Sequence, residues 1–129
     1  MSLSRSDISA LAQAKSANFC GQWIVLRRYG VPVDKIAKLY LAGGFANYVN
    51  VKNAVDIGFL ANFPAEKIVK VGNTSLGGAT IMLMSAEMRE IGERMVRSIE
   101  HVELETTSDF FDLFVEGCMF QPMATSFEE

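Results

Sequence analysis

The sequence is poor in the residues from which most metal sites and many catalytic sites are built. It contains one histidine and two cysteines, and Cys20 and Cys118 lie far apart in apolar stretches. Two separated cysteines cannot supply the clustered ligands of a zinc site or an iron–sulfur cluster. We therefore expect two free, buried thiols and no metal ligand, in a protein of the cytoplasm.

Long apolar runs and blocks of one charge are also missing. Runs such as residues 81–84 and 110–115 are far shorter than the roughly 20 apolar residues that cross a bilayer, and the N-terminus lacks a signal-peptide pattern. The 15 acidic and 12 basic residues are interspersed and leave a net charge of −3. Without a basic patch, nucleic-acid binding is not expected. The sequence predicts neither a membrane nor a nucleic acid as partner.

No catalytic motif is complete in this chain. His101 follows a charged stretch and fits an ordinary surface position, and the sequence has no nucleophile elbow, phosphate-binding P-loop or complete Gly-x-Gly-x-x-Gly fingerprint. We predict no catalytic residue.

The chain is rich in apolar residues, which make up half of its 129 positions. This length fits one domain, 1–129, and some apolar surface is expected to meet a partner or another part of the polypeptide. Residues 1–3 fit an expression remnant, so we expect the natural protein to continue upstream. Residues 123–129 are expected to form a loose tail.

Two short apolar runs, residues 38–42 and 68–72, each end at glycine and predict parallel strands. The spacing predicts five helices. Two cover residues 7–29 and 53–60, and the other three begin at caps formed by Ser75, Ser85 and Ser108. The first helix is capped by Ser4 or Ser6 and ended by Gly30, and the second is capped by Asn50 or Asn53. Alternation over 102–105 predicts a brief edge strand. The fold class is α/β, a small and mainly parallel sheet flanked by four to five helices.

Two glycine clusters follow the strands. Gly43 and Gly44 would let main chain approach a flat ligand or a phosphate, although a simple tight turn is the alternative. Gly77 and Gly78 fall inside the next helix, where glycine costs about 1 kcal/mol relative to alanine. We expect a close helix contact there, in preference to direct ligand contact. Asn73 is a candidate polar ligand group.

The order of these motifs resembles the C-terminal region of the reductive activators of corrinoid proteins. The resemblance covers about residues 4–122. It is carried by Tyr-Leu-Ala-Gly-Gly-Phe-x-Asn-Tyr at 40–48, Ile57-Gly58-Phe59-Leu60, Val71-Gly72-Asn73 and Phe114-Val115-Glu116. That family is similar to the acetate and sugar kinase, Hsp70 and actin superfamily, in which ATP lies between two ribonuclease-H-like lobes. This chain would be part of one lobe.

The resemblance implies an adenosine motif at Gly43–Phe45 and a hinge segment at 72–79. The cofactor-binding residues it implies are Gly43, Gly44, Phe45, Ala46, Asn47, Gly72 and Asn73. Ala46 stands where members of that family often have a third glycine. Residues 74–76 are larger than the residues that family members have in the hinge segment.

The implied function is ATP-dependent reduction of a corrinoid from Co(II) to Co(I) for a methyltransferase system. ATP with Mg would act in the full-length parent, an ATPase, and an iron–sulfur cluster would belong to its missing N-terminal part. The expected partners are the corrinoid protein, the missing N-terminal lobe and a second copy in a homo-oligomer. The fragment alone is expected to be inactive. A nucleotide-binding lobe of a kinase-like metabolic enzyme and a non-catalytic interaction or dimerisation module remain the alternatives.

Overall fold

A computed structural model describes residues 2–124 of the chain. This part contains five α-helices and a two-stranded parallel sheet, which confirms the predicted α/β class. The elements are α1 (Arg5–Tyr29), β1 (Leu39–Ala42), α2 (Val51–Asp56), β2 (Ile68–Gly72), α3 (Thr74–Met84), α4 (Ala86–Val96) and α5 (Phe110–Gly117).

The contacts divide the described chain into two compact units. Residues 2–39, 50–68 and 103–124 form the first unit, and residues 40–49 and 69–102 form the second. The expectation of one undivided lobe therefore stays a prediction.

Helix α1 has clear signals at both ends. The Ser4 hydroxyl accepts a hydrogen bond from the backbone N–H of Asp7 at 3.2 Å, and the Asp7 carboxylate accepts one from the backbone N–H of Ser4 at 2.9 Å. Such a capping box satisfies two N–H groups that would otherwise lack helical partners. Gly30 ends the helix in the left-handed conformation, with φ 69°. Both predicted boundary signals of this helix are confirmed.

The first unit is held together by packing of α1 against α5 and the 57–63 segment. Its buried apolar residues are Phe19, Cys20, Ile24, Val33, Ala54, Leu60, Ala61, Phe63, Leu113 and Met123. Each large apolar side chain buried in this way contributes about 1.5–3 kcal/mol. A side chain on Gly117 would approach the Ser16 hydroxyl to 2.6 Å, so this glycine permits the close approach of α5 to α1.

Lys15 is a charged residue at the centre of this packing. It is 1% exposed, and its Nζ donates to the carbonyl oxygens of Gly117 at 2.7 Å and Met119 at 2.5 Å. Burial lowers the pKa of the Lys15 ammonium, although nearby acidic groups oppose the shift. A cation at the C-terminal end of α5 also interacts favourably with the helix dipole.

Side-chain amides hold the segment after α2 against α1. Asn18 and Gln22 both donate to the carbonyl of Phe59, at 2.5 and 2.8 Å. The carbonyl oxygen of the Gln22 side chain accepts from the backbone N–H of Ala61 at 2.8 Å. The loop backbone is thereby satisfied by polar groups of the helix.

Three local predictions were wrong. Residues 104–106 form a 3-10 turn and not an edge strand, since the backbone N–H of Thr107 donates to the carbonyl of Leu104 at 3.1 Å, and the Leu104 side chain lies near Gly21. Ser108 does not cap α5, because Asp109 occupies the cap position and its carboxylate binds both terminal nitrogens of Arg27, at 2.5 and 2.8 Å. This pairing lowers the pKa of Asp109. In α3, the cap is Asn73 and not Ser75.

The second helix begins and ends earlier than predicted. Asn50 caps α2 by accepting from the N–H of Asn53 at 3.0 Å, as one of the two expected caps. The helix stops at Asp56 because Gly58 takes a left-handed φ of 69°.

The thiols and the chain end complete the first unit. Both cysteines are free as predicted, with Cys20 buried and Cys118 half-buried. Burial raises the pKa of the Cys20 thiol. Met123 is buried, so the expected loose tail is wrong at that residue, while 125–129 lie outside the described residues.

Within residues 2–124, no helix combines the length and apolar character needed to cross a bilayer.

Gly58 and Gly30 provide a matched pair for testing this packing. Both have φ near 69°, where alanine costs about 1–2 kcal/mol. A side chain on Gly58 would also overlap the carbonyl oxygen of Gln121, whereas one on Gly30 meets no described atom within 4 Å. We expect Gly58→Ala to destabilise the chain by about 2–4 kcal/mol and Gly30→Ala by about 1–2 kcal/mol in urea unfolding. Equal losses would show that the 121 segment is not held against Gly58.

Candidate functional site

The candidate site is the turn that follows β1 in the second unit. The backbone N–H of Gly43 donates to the carbonyl of Gly72 at 2.7 Å, so the glycine that follows β1 lies beside the glycine that ends β2. Gly43 has φ 104° and Gly72 has φ 68°, conformations that strongly favour glycine.

Gly44 differs from its neighbour because no feature of its backbone calls for glycine. Its φ of −60° and ψ of −37° are ordinary right-handed helical values. A side chain built on it meets no atom of the described residues within 4 Å. The bare backbone of Gly44 therefore faces open space, which is the arrangement that a flat ligand needs.

The 3-10 turn Phe45–Asn47 leads away from the glycines. Ala46 is buried in it, and no non-glycine residue between 2 and 124 has a positive φ. Alanine at this position therefore fits the turn without strain. Phe45 and Tyr48 are 73% and 87% exposed. Two aromatic surfaces beside bare backbone could contact a heterocyclic base.

Asn47 and Asn73, both predicted as ligand groups, have different surroundings. The two terminal atoms of the Asn47 amide lie 4.0 Å from the position of a side chain on Gly72. Asn73 uses its side-chain oxygen to cap α3, accepting from the N–H of Leu76 at 3.1 Å. The structure thus gathers Gly43, Gly44, Asn47 and Gly72, whereas Asn73 has a structural task.

Lys70 was missed by the sequence analysis. It lies on β2, and its Nζ donates to the carbonyls of Asn47 at 3.2 Å and Val49 at 2.7 Å. No pattern in the sequence distinguishes it from any solvent-exposed lysine of a short strand. The contact of Lys70 with these two carbonyls is apparent only from the three-dimensional structure.

Gly77 and Gly78 do not make the close helix contact that we expected. Neither has a described atom within 4 Å of a built side chain. Helix α3 instead meets α4 near its C-terminal end, where the methyl group of Met82 fills the space beside Gly92, and Arg89 donates to the carbonyl of Met82 at 2.8 Å. Within residues 2–124 the expected contact is not made, because the α3–α4 hairpin closes at the opposite end of α3.

Helix α3 presents an unusually apolar surface. None of its residues is buried, and Leu83 and Met84 are 81% and 82% exposed. Exposed apolar surface of this kind generally marks a contact with another protein surface.

The described residues contain no cluster of three or more side chains that could hold a metal ion. His101 is exposed, as expected for a surface histidine. The geometry of the glycine turn favours binding through backbone and aromatic surface.

Comparison with known proteins gives one consistent result. A family model described as the C-terminal domain of RACo, the ASKHA domain, matches residues 1–129. The chain belongs to this family. It is 30% identical over 118 residues to the corrinoid activation enzyme RamQ of Eubacterium limosum, a match covering 92% of this chain and 20% of that protein.

A solved structure, the reductive activator for corrinoid, iron-sulfur protein, matches this ASKHA domain with a TM-score of 0.85 and 32% identity. The match covers 93% of this chain and 19% of that one. The recognised resemblance is thus confirmed, and this chain spans about a fifth of the length of these two relatives.

The two adjacent glycines of the ASKHA domain should respond differently to alanine. Gly43→Ala should lower the free energy of unfolding by about 1–2 kcal/mol, because φ 104° is strained for any side chain. Gly44→Ala should stay within about 0.5 kcal/mol of the wild type. Urea unfolding of both variants measures the difference, and a large loss for Gly44→Ala would contradict the open surroundings of that residue.

Proposed function

We propose that this domain forms the adenosine side of an ATP-binding cleft in a longer polypeptide of the cytoplasm. That polypeptide would use ATP to return the Co(II) corrinoid of a methyltransferase system to Co(I). The observation that carries the proposal is Gly44, a glycine that neither its own backbone nor any described neighbour within 4 Å requires. Close approach of a ligand supplies the missing reason.

Binding at this turn would use what the chain itself provides. The backbone of Gly43 and Gly44 would face the adenine or ribose, and Phe45 would offer apolar surface beside it. Asn47, next to Gly72, could hydrogen-bond to a polar edge of the nucleoside. The phosphates and Mg would be held by other parts of the polypeptide, since the glycine turn lacks the lysine of a P-loop.

The corrinoid part of the proposal is supported by the relatives, both of which are named for corrinoid activation. Reduction of Co(II) to Co(I) requires one electron, which an iron–sulfur cluster would supply. Such a cluster does not fit this chain, because the described residues offer no group of three ligands and Cys20 is buried within α1. We therefore place the cluster in the N-terminal part of the longer protein.

We further propose that the remainder of the same polypeptide covers α3. Its two helical glycines, Gly77 and Gly78, have no described neighbour within 4 Å, and its exposed side chains are mainly apolar. A helix or strand from elsewhere could approach the glycine backbone closely. The match to about a fifth of each relative leaves ample chain for such a contact.

Two further contacts are proposed, one with the corrinoid protein and one with a second copy. The corrinoid protein would dock on the assembled activator. Homo-oligomer formation would use α5, where Phe111 is exposed while Phe110 packs near Phe114 with ring centroids 6.1 Å apart.

Replacement of Gly44 by valine in the full-length protein tests the nucleotide site. A branched side chain would fill the open space over the backbone, and we expect the Kd for ATP to rise at least about tenfold, which corresponds to about 1.4 kcal/mol. Corrinoid reduction at fixed ATP should fall with it. Titration calorimetry measures the affinity, and Gly44→Ala should give a smaller loss. Unchanged ATP hydrolysis and unchanged corrinoid reduction in Gly44→Val would refute the assignment.

A further inference from the structure

Lys70 ties the end of the glycine turn to β2. Its ammonium group donates to two carbonyl oxygens, that of Asn47 at 3.2 Å and that of Val49 at 2.7 Å. All three residues belong to the same compact unit. A lysine has three donors and no acceptor, so it is well suited to join two neighbouring carbonyls.

The turn is therefore held to β2 at two points. At its start, the N–H of Gly43 donates to the carbonyl of Gly72, and at its end Lys70 binds the carbonyls of Asn47 and Val49. Between these points the hydrogen bonds seen in the described turn are local, from the N–H of Ala46 to the carbonyl of Gly43 at 3.2 Å and from the N–H of Tyr48 to the carbonyl of Phe45 at 3.0 Å. Loss of the second anchor would leave the 3-10 turn attached to β2 at one end.

We propose that Lys70 is a positioning residue for the nucleotide: it fixes the 43–49 turn so that the backbone of Gly44 is presented in one conformation before the ligand arrives. This inference rests on the proposed function. Ordering a mobile turn during binding reduces affinity, and a turn already held in place avoids that loss. Lys70 would act through the turn without touching the adenosine.

Lys67 provides a matched control within the same chain. Its Nζ also donates to two carbonyls that are two residues apart, those of Asp34 at 2.8 Å and Ile36 at 3.0 Å. These residues belong to the other compact unit. Lys67→Met and Lys70→Met thus remove the same type of interaction, and only the second touches the glycine turn.

The first test measures the turn itself in the 129-residue chain. Amide hydrogen exchange by NMR should show that Lys70→Met accelerates exchange at Ala46 and Tyr48 by about three- to tenfold, the factor expected from losing one charged hydrogen-bond donor, and changes Gly43 less because its bond to Gly72 remains. Lys67→Met should leave these three amides unchanged, and Lys70→Arg should restore most of the protection. Equal exchange in Lys70→Met and the wild type would overturn the proposal, whatever the ligand of the domain.

The second test measures binding of adenosine and ATP to the full-length protein. Lys70→Met should weaken both ligands by the same factor, about three- to tenfold, because the uncharged nucleoside depends on the turn as much as ATP does. Lys67→Met should leave both affinities unchanged, and Lys70→Arg should stay close to the wild type.

Each contrary outcome has a distinct meaning. Weakening of ATP alone would show that Lys70 acts through its charge on the phosphates and would overturn the positioning role. Unchanged affinities in Lys70→Met, with binding lost in Gly44→Val, would overturn the role of Lys70 while the proposed function stands. If the wild-type protein bound neither ligand, the proposed function itself would fail, and the exchange measurement would still decide whether Lys70 holds the turn.

Discussion

The candidate site depends on the hydrogen bond from the Gly43 N–H to the Gly72 carbonyl. This 2.7 Å bond joins the C-terminal ends of the two short parallel strands, β1 and β2. Both residues have positive φ, so side chains on either would oppose the geometry. The bond brings the 43–47 turn next to Gly72, and Lys70, two residues before Gly72, reaches the far end of the same turn.

The two compact units differ in how much of their apolar surface they bury within themselves. The first buries an apolar core around α1 and also buries Lys15, whose ammonium is bonded to two carbonyls. The second contains the glycine turn and leaves α3 with no buried residue. A unit with a bare backbone surface and an uncovered apolar helix is suited to binding and to packing against a larger protein.

Local signals in the sequence predicted much of the fold. The caps at Ser4 and Ser85, the left-handed stop at Gly30 and the strands before Gly43 and Gly72 depend on neighbouring residues and are confirmed. The Ser75 cap and the bounds of α2 were local errors, whereas others arose where distant contacts decide. Asp109 is bound by Arg27, Leu104 is an anchor and not a strand residue, and the carbonyls bound by Lys15 lie 102 and 104 residues along the chain. Lys70 was missed for the same reason, since its partners are 21 and 23 residues away.

The central claim is that the Gly43–Gly44 turn lies against adenosine. Photolabelling of the full-length protein with an azido-adenine analogue of ATP, followed by peptide mapping, tests it most directly. The account predicts that label is incorporated within residues 40–48, where Tyr40, Phe45 and Tyr48 are exposed, and that excess ATP prevents it. Label protected by ATP but confined to peptides outside this domain would contradict the claim.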